Sequence, residues 1–230
     1  MKTIQEDDNN FICDIAAPCF HLLAGEELTL VRESKTQVLF HKGENLTKQR
    51  TFASYILFVM KGLVKVQLQE GDKSFNLRLA GAGEFLGLST VFGKNTFNYS
   101  ATALNETQAM LVEKSAIEEL LKSNGHFAYN LMRRYVAHSD DLYQTLRKLM
   151  YKQMNGRLAG TLLYLSSAEF AGQDVFSLLS RKDLGEFAGI STESTVKLLK
   201  AYERDGILKL NDKHIEIRQA DLLRELAEKG

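Results

Sequence analysis

A change of hydrophobic period near residue 115 constrains the fold of this chain more than any single motif does. From Leu28 to Val112 the apolar residues alternate or come in short bursts between glycines, as in YILFVMKGLVKVQLQEGDKSFNLRLAGAGEFLGL from Tyr55 to Leu88. That texture belongs to strands and turns. The bursts ILFVM, LVKVQLQ and FNLRL are parted by Lys61-Gly62 and by Glu70 to Lys73, which predicts antiparallel strands joined by short hairpins. A β-roll or jelly roll is the expectation for this part of the chain.

At Ser115 the period lengthens. Ser115 stands three residues before Glu118, the spacing of a helix-opening capping box. After Asn124-Gly125, residues Phe127, Leu131, Tyr135, His138, Leu142, Thr145 and Leu149 recur at three- and four-residue steps, among Arg133, Arg134, Asp140, Asp141, Arg147 and Lys148. A polar-flanked apolar seam of this length predicts a two-stranded coiled coil, and hence a dimer. Periodicity alone leaves a second reading open, an amphipathic helix lying on its own β-domain.

Beyond Lys152 the segment GRLAGTLLYLSSAEF reads as a helix, VFSLLS as a short strand and RKDLGEFAG as a short helix closed by Gly189. GILKL and KHIEI then flank Asn211-Asp212 as a hairpin. Helix, short helix, tight turn, helix and hairpin is the order of a winged helix-turn-helix. The helix after the turn, in GISTESTVKLLKAYERDGIL, opens with hydroxyls and continues with an apolar stripe. A helix that enters the major groove by its N-terminal end needs small or polar side chains in its first turn. Ser191, Thr192, Glu193, Ser194 and Thr195 supply them, with Ser191 as the cap and the free amides of the first turn available to a phosphate. Val196, Leu198, Leu199 and Tyr202 face the preceding helix, while Lys197 and Lys200 stay outside for DNA and Arg181 and Lys182 hold its backbone. A plain two-helix hairpin explains the apolar pattern but not the hydroxyl-rich opening.

Charge does not oppose this reading. Lys+Arg and Asp+Glu balance at 29 each in 230 residues, so any basic surface is local. No apolar run reaches the roughly 18 residues of a membrane span, and the opening MKTIQEDDNN is acidic where a secretory signal is basic and then apolar. A soluble, cytoplasmic protein is expected. Cys13 and Cys19 are too few for a disulfide scaffold or for an unaided iron-sulfur cluster, and read first as reduced thiols. The chain lacks GxxxxGK[ST], HExxH and GxSxG patterns, and the GxG of GAGEFLG sits between strands with no helix after it. No enzymatic activity is expected.

The stretch LSRKDLGEFAGISTESTVKLLKAYERDGIL, Leu179 to Leu208, resembles the DNA-binding motif of the cyclic AMP receptor and fumarate-nitrate reduction regulator (Crp/Fnr) family. The glycines of FVMKGLVKV and GAGEFLG, the long helix and the wing extend the resemblance over nearly the whole chain. It implies an α+β protein with three parts: a cyclic-nucleotide-binding-like β-roll sensor over residues 1–114, helices over 115–150 that include the dimerisation helix, and a winged helix-turn-helix over 151–230. It also implies a homodimer that reads an inverted repeat in double-stranded DNA and contacts RNA polymerase, more often to activate than to repress. The family's base-reading glutamate falls on Glu193, and its following basic reader on Lys197. A carboxylate accepts from cytosine N4 and a lysine donates to guanine O6 or N7. Thr192 precedes the glutamate and Val196 stands where serine or glycine is usual, so the half-site differs from that of the cyclic AMP receptor.

The sensor departs further from that pattern. In cyclic-AMP-binding members a glutamate after the roll glycine grips the ribose and an arginine pairs with the phosphate; here those positions are Leu88 and Tyr99, next to Ser89 and Ser100. Neither can do that chemistry, and a buried phosphate without a cation is costly. Leu142 and Tyr143 are the positions on the long helix that would face such a ligand, so an apolar or already filled pocket is expected. Two cysteines also argue against the family's iron-sulfur cluster. Haem stays open as a cofactor, with His138 or Met150 as axial ligands and His21, His41, His126 and His214 as further histidines. Oxidation of Cys13 or Cys19 is a ligand-free alternative. Two other functions also stay open, an interaction module with a degenerate DNA readout and a regulator that takes a cyclic nucleotide in an altered pose.

Overall fold

The structure is a computed structural model that describes residues 1–5, 8, 11, 20 and 23–230. The redox candidates Cys13 and Cys19 and the haem candidate His21 lie outside the described residues. The chain divides into two compact units, Met1–Lys73 with Arg78–Asp140 and Ser74–Leu77 with Asp141–Gly230. Among the described residues no helix is long and apolar enough to cross a membrane.

The first unit is built from β1 (Lys2–Ile4), α1 (Glu26–Glu33), β2 (Lys35–Phe40), β3 (Asn45–Thr47), β4 (Tyr55–Lys61), β5 (Val64–Glu70), β6 (Lys73–Ala80) and β7 (Phe85–Leu86). These are followed by α2 (Ser89–Phe92), β8 (Ser100–Ala103), β9 (Thr107–Glu113), α3 (Lys114–Ser123) and α4 (Gly125–Tyr151), of which the part from Asp141 on, like Ser74–Leu77 of β6, belongs to the second unit. The strands form two sheets, ordered β1-β2-β9-β4-β7 and β3-β8-β5-β6. Strand β4 lies in one sheet and β5 in the other, so Lys61-Gly62 is not the hairpin that the spacing predicts. It is a crossing from sheet to sheet. Gly62 makes it with φ of 99°, where a Cβ would stand 2.6 Å from the Glu106 carbonyl oxygen, a conformation and approach open only to glycine.

Helix α3 starts one residue before Ser115, with Glu113 at its cap position and no side-chain cap. The expected Ser115–Glu118 capping box is absent, because Glu118 turns toward Lys114 at 3.8 Å instead. Helix α4 gives its first turns to the core of its own unit. Phe127 and Leu131 are buried there with Ile56, Phe58, Phe85, Met110 and Ile117, and the Phe127 ring stacks on Phe20 with centroids 5.9 Å apart. These two residues therefore leave the predicted seam.

Further along α4, Arg134 Nη1 donates to the Gly83 carbonyl at 2.6 Å, and His138 Nε2 lies 3.5 Å from Glu84 Oε2. Arg78 also pairs with Glu84. Burial works against the Glu84 charge, but the His138 hydrogen bond and the Arg78 charge outweigh it and hold the carboxyl below its ordinary value.

The second unit carries α5 (Met154–Leu165), a 3-10 turn at Ala168–Phe170, α6 (Val175–Leu178), α7 (Arg181–Ala188), α8 (Thr192–Arg204), β10 (Leu208–Asn211), β11 (His214–Ile217) and α9 (Ala220–Lys229). VFSLLS is one helical turn rather than a strand. Val175 and Phe176 are both buried although adjacent, and Ser177 Oγ closes the turn on the Asp174 carbonyl at 2.7 Å.

Two outcomes test this account. Phe127→Ala is expected to cost the roll about 3–5 kcal/mol, the range for emptying a phenylalanine site in a core, read as an earlier unfolding transition of that unit in urea. Glu84 has a depressed folded pKa, so its contribution is present above the unfolded value of 4.5 and disappears as pH falls through the folded one. Glu84→Gln is therefore expected to unfold earlier than the native chain near neutral pH, with the two urea midpoints converging at acid pH.

Candidate nucleic-acid interface

The helix pair α7–α8 rests on two caps and two glycines. Ser180 caps α7 reciprocally: its Oγ accepts from the Asp183 amide at 3.1 Å, and its own amide donates to Asp183 Oδ2 at 2.8 Å. Gly189 then closes α7 in the left-handed region with φ of 62°. At the start of α8, Ser191 Oγ accepts from the Ser194 amide at 3.1 Å. Helices α7 and α8 approach closely at Gly185, where a Cβ would meet Thr195 Oγ1 at 2.7 Å and the Ile190 carbonyl at 2.9 Å. Thr195 is fully buried and donates to the Ser191 carbonyl at 2.9 Å. It packs the turn and leaves the hydroxyl-rich surface expected of it.

Buried Leu199 and Tyr202 anchor the inner face of α8. The Tyr202 hydroxyl donates to the Asn155 carbonyl at 2.7 Å, and burial pushes its pKa up to about 12. Glu193, Lys197 and Lys200 are exposed on the opposite face and Thr192 is exposed in the first turn, while Ser194 and Val196 are half-buried. Glu193, Lys197 and Lys200 fall at i, i+4 and i+7, one stripe of a helix. Arg204 continues that stripe at i+11 and is exposed. Sequence reading passed over Arg204, although the same period reaches it.

Arg181 and Lys182 stand at the start of α7. Arg181 Nη2 donates to the Asp212 carbonyl at 2.6 Å, tying the helix to the turn of the β10–β11 wing, and its burial lowers its pKa. Lys182 reaches out to solvent, 3.8 Å from Glu186. Asp212 takes φ of 51° at the wing tip, beside exposed Lys213.

The residues singled out for a ligand do not form one group. Tyr99 Oη accepts from the Gly87 amide at 2.8 Å. Burial raises the phenol pKa, opposed by that hydrogen bond and by Arg78. Ser100 Oγ accepts from the Gln49 amide at 3.1 Å and donates to Gln69 Oε1 at 3.4 Å. Both side chains thus have partners within the roll. Leu88 and Ser89 instead line a separate cavity against α3 and α4. Leu142 and Tyr143 are exposed on α4.

Exposure along α4 does not follow the predicted seam throughout. Among its predicted members, Tyr135 and Leu142 are exposed, Thr145 is half-buried, and His138 turns to Glu84. Leu149 packs against the α7–α8 turn, its Cδ2 standing 2.7 Å from where a Gly189 Cβ would be. The exposed apolar stripe runs instead through Met132, Val136, Tyr143, Leu146 and Met150, with Tyr135 and Leu142 beside it. Giving Phe127 and Leu131 to the core turns the free face by one residue, about 100°. Met150, a candidate haem ligand, belongs to this stripe.

Residues 37–124 match the family model of the cyclic nucleotide-binding domain, and residues 156–226 that of the Crp-like helix-turn-helix domain. The chain is 25% identical to a cyclic AMP receptor protein of Thermus thermophilus over 212 residues, 92% of this chain and 97% of that one. It is 23% identical over 228 residues to a fumarate nitrate reduction regulatory protein of Klebsiella oxytoca, 94% of this chain and 88% of that one. The chain belongs to the Crp/Fnr family of transcription regulators. The fold of this Crp/Fnr regulator is also that of FixK2 from Bradyrhizobium japonicum, with a TM-score of 0.74, 22% identity and coverage of 84% of this chain and 96% of that one. The free stripe on α8 thus belongs to a DNA-binding transcription regulator.

Gly185→Ala tests the helix pairing. The added methyl overpacks the α7–α8 crossing, an effect of about 1–3 kcal/mol. A lower melting temperature and weaker DNA binding are expected, although no charge has changed.

Proposed function

We propose that this Crp/Fnr regulator acts as a homodimer that reads an inverted repeat with two copies of α8 in successive major grooves, roughly 34 Å apart. One observation carries the reading: Glu193, Lys197 and Lys200 stand exposed in a single stripe on a capped helix whose other face is fixed by Leu199 and Tyr202. Glu193 accepts from a cytosine N4 and Lys197 donates to a guanine edge. Thr192 and Val196 contact neighbouring bases. The first-turn amides beside Ser191 and Ser194, together with Lys182 and Lys200, hold phosphates. Arg181 acts partly through the wing, whose turn it fixes.

The apolar stripe of α4 supports the dimer. A helix face carrying Val136, Tyr143, Leu146 and Met150 in water calls for a partner, and a second copy offers a self-complementary one. The organisation we propose keeps the sensor at residues 1–114, the dimerising helices at 115–150 and the reader at 151–230. The regulator works in the cytoplasm and, once on DNA, engages RNA polymerase as an activator.

The roll answers a signal other than cyclic AMP in its usual pose. Tyr99 and Leu88 offer neither a cation for a phosphate nor a carboxylate for a ribose, and Tyr99 and Ser100 are already bonded within the roll. The signal acts by changing how the two α4 helices pack, and so how the two α8 helices are spaced.

Selection of bound fragments from genomic DNA tests the reader. An inverted repeat shared by the recovered fragments is the expected outcome, and fragments with no common motif would overturn it. On that site, Glu193→Ala is expected to relax preference at one base pair by about 1–3 kcal/mol. Lys200→Ala should weaken all sequences alike and reduce the salt slope by about one. Equal losses on specific and random DNA for Glu193→Ala would remove its base-reading role.

A further inference from the structure

The first unit contains a cavity of about 350 Å³ outside the strands of the roll, at the small end of the roughly 300–1,000 Å³ found for small-molecule sites. Helix α2 supplies one wall with Leu88 and Phe92, α3 supplies Leu121, and α4 supplies Ala128, Met132 and Tyr135. No residue lining it carries a charge. Its polar atoms are hydroxyls, those of Tyr135 and of Ser89, the latter accepting from Asn98 Nδ2 at 3.4 Å.

The chemistry of that lining selects the ligand. An anion or cation entering it would lose water and gain no counter-charge, so charged molecules are disfavoured. A nucleotide phosphate is disfavoured most. A neutral molecule with one or two rings would instead bury Phe92 and Met132, which are 69% and 53% exposed on opposite walls. Both ends of the α2 segment are glycines. Gly87, with φ of 91°, precedes it and Gly93 follows it, and buried Thr90 anchors the short helix on the Gly87 carbonyl at 2.7 Å, leaving the Phe92 side chain outside.

We propose that this cavity, rather than the interior of the roll, is the effector site, and that its ligand is an uncharged, largely apolar small molecule. The proposal rests on the reading that the roll senses something other than cyclic AMP in its usual pose. Tyr135 joins the site to the dimer, since it lines the cavity and lies beside the exposed stripe of α4. A ligand held between Phe92 and Tyr135 favours one setting of that stripe, and the preference is the free energy by which it shifts the regulator.

The neutral dye N-phenyl-1-naphthylamine, which fluoresces on leaving water, tests the site in the full-length protein. Saturable binding to one site per chain is expected, insensitive to salt and undisturbed by cyclic AMP or cyclic GMP. Ala128→Phe fills the cavity from α4 and should weaken binding at least about tenfold. Leu121→Trp fills it from α3 and serves if the first variant does not fold by circular dichroism. Phe52→Ala removes an apolar side chain 68% exposed elsewhere on the same unit and should leave binding unchanged. Unaltered binding in both cavity variants, equal loss in Phe52→Ala, or displacement by a cyclic nucleotide would each overturn the proposal. So would dye binding only after Leu146→Asp has dissociated the dimer, because a partner helix would then be the occupant. The DNA selection fails or succeeds separately: a recovered inverted repeat with no dye site removes the cavity alone, and a dye site without a shared repeat removes the reader alone.

Discussion

The burial of Phe127 and Leu131 at the base of α4 is the constraint on which the rest of the first unit depends. Each is an apolar side chain taken almost wholly out of water, about 1.5–3 kcal/mol apiece by area, and together they fix the rotation of the helix about its own axis. With that rotation set, Arg134 meets the Gly83 carbonyl and His138 meets Glu84, one turn apart on the side facing the roll. The opposite side is left with Met132, Val136, Tyr143, Leu146 and Met150. A helix that owed nothing to the roll could present the heptad starting at Phe127. This one cannot, and the dimer face we propose is drawn from what the roll leaves over, Val136, Tyr143, Leu146 and Met150.

The reader unit follows the same logic at smaller scale. Gly185 lets α7 and α8 touch, Thr195 fills the contact, and the caps at Ser180 and Ser191 satisfy amides that would otherwise face outward without partners. What remains on α8 is a narrow stripe. Ser191 and Ser194 are largely engaged in holding the helix, so the base-reading role we propose for α8 rests on Thr192, Glu193, Val196 and Lys197. The hydroxyl-rich opening that marks the helix in the sequence is thus half architecture and half readout.

The strands, the long helix and the winged helix-turn-helix were legible because each carries a period or a cap that is local in sequence. The misreadings differ in cause: Lys61-Gly62 turned on strands remote in the chain, whereas VFSLLS and Ser115–Glu118 turned on partners a few residues away, Asp174 and Lys114. Lys61-Gly62 looks like a hairpin until β9 takes β4 into one sheet and β8 takes β5 into the other. VFSLLS has the β-branched and aromatic content of a strand, but buries adjacent residues on a single turn. The Ser115–Glu118 spacing fits a capping box, yet the helix begins before it. Helix α9 lies beyond the wing, where RQADLLRELAEKG carries an amphipathic period of its own. At the sensor, Leu88 and Tyr99 differ by type alone from the carboxylate and cation that the family resemblance implies for a cyclic nucleotide. The hydrogen bond from Gly87 to Tyr99 required coordinates.

That hydrogen bond changes what regulation can mean here. A phenol seated on the Gly87 amide occupies, from within the roll, the backbone donor that precedes α2. The start of this segment is then held from within the roll without any ligand, and the effector we propose acts on its outer side, where Phe92 and Met132 are exposed. To move a two-state dimer from a minor to a dominant active form, such a molecule must bind the active form about 10⁴-fold more tightly. A neutral ligand gains that margin mainly from apolar area, at about 25 cal/mol per Å². Closing Phe92 over Met132 and Tyr135 supplies such area in one state and not in the other, so the exposure of those three side chains without ligand is what would make the cavity a switch rather than a store.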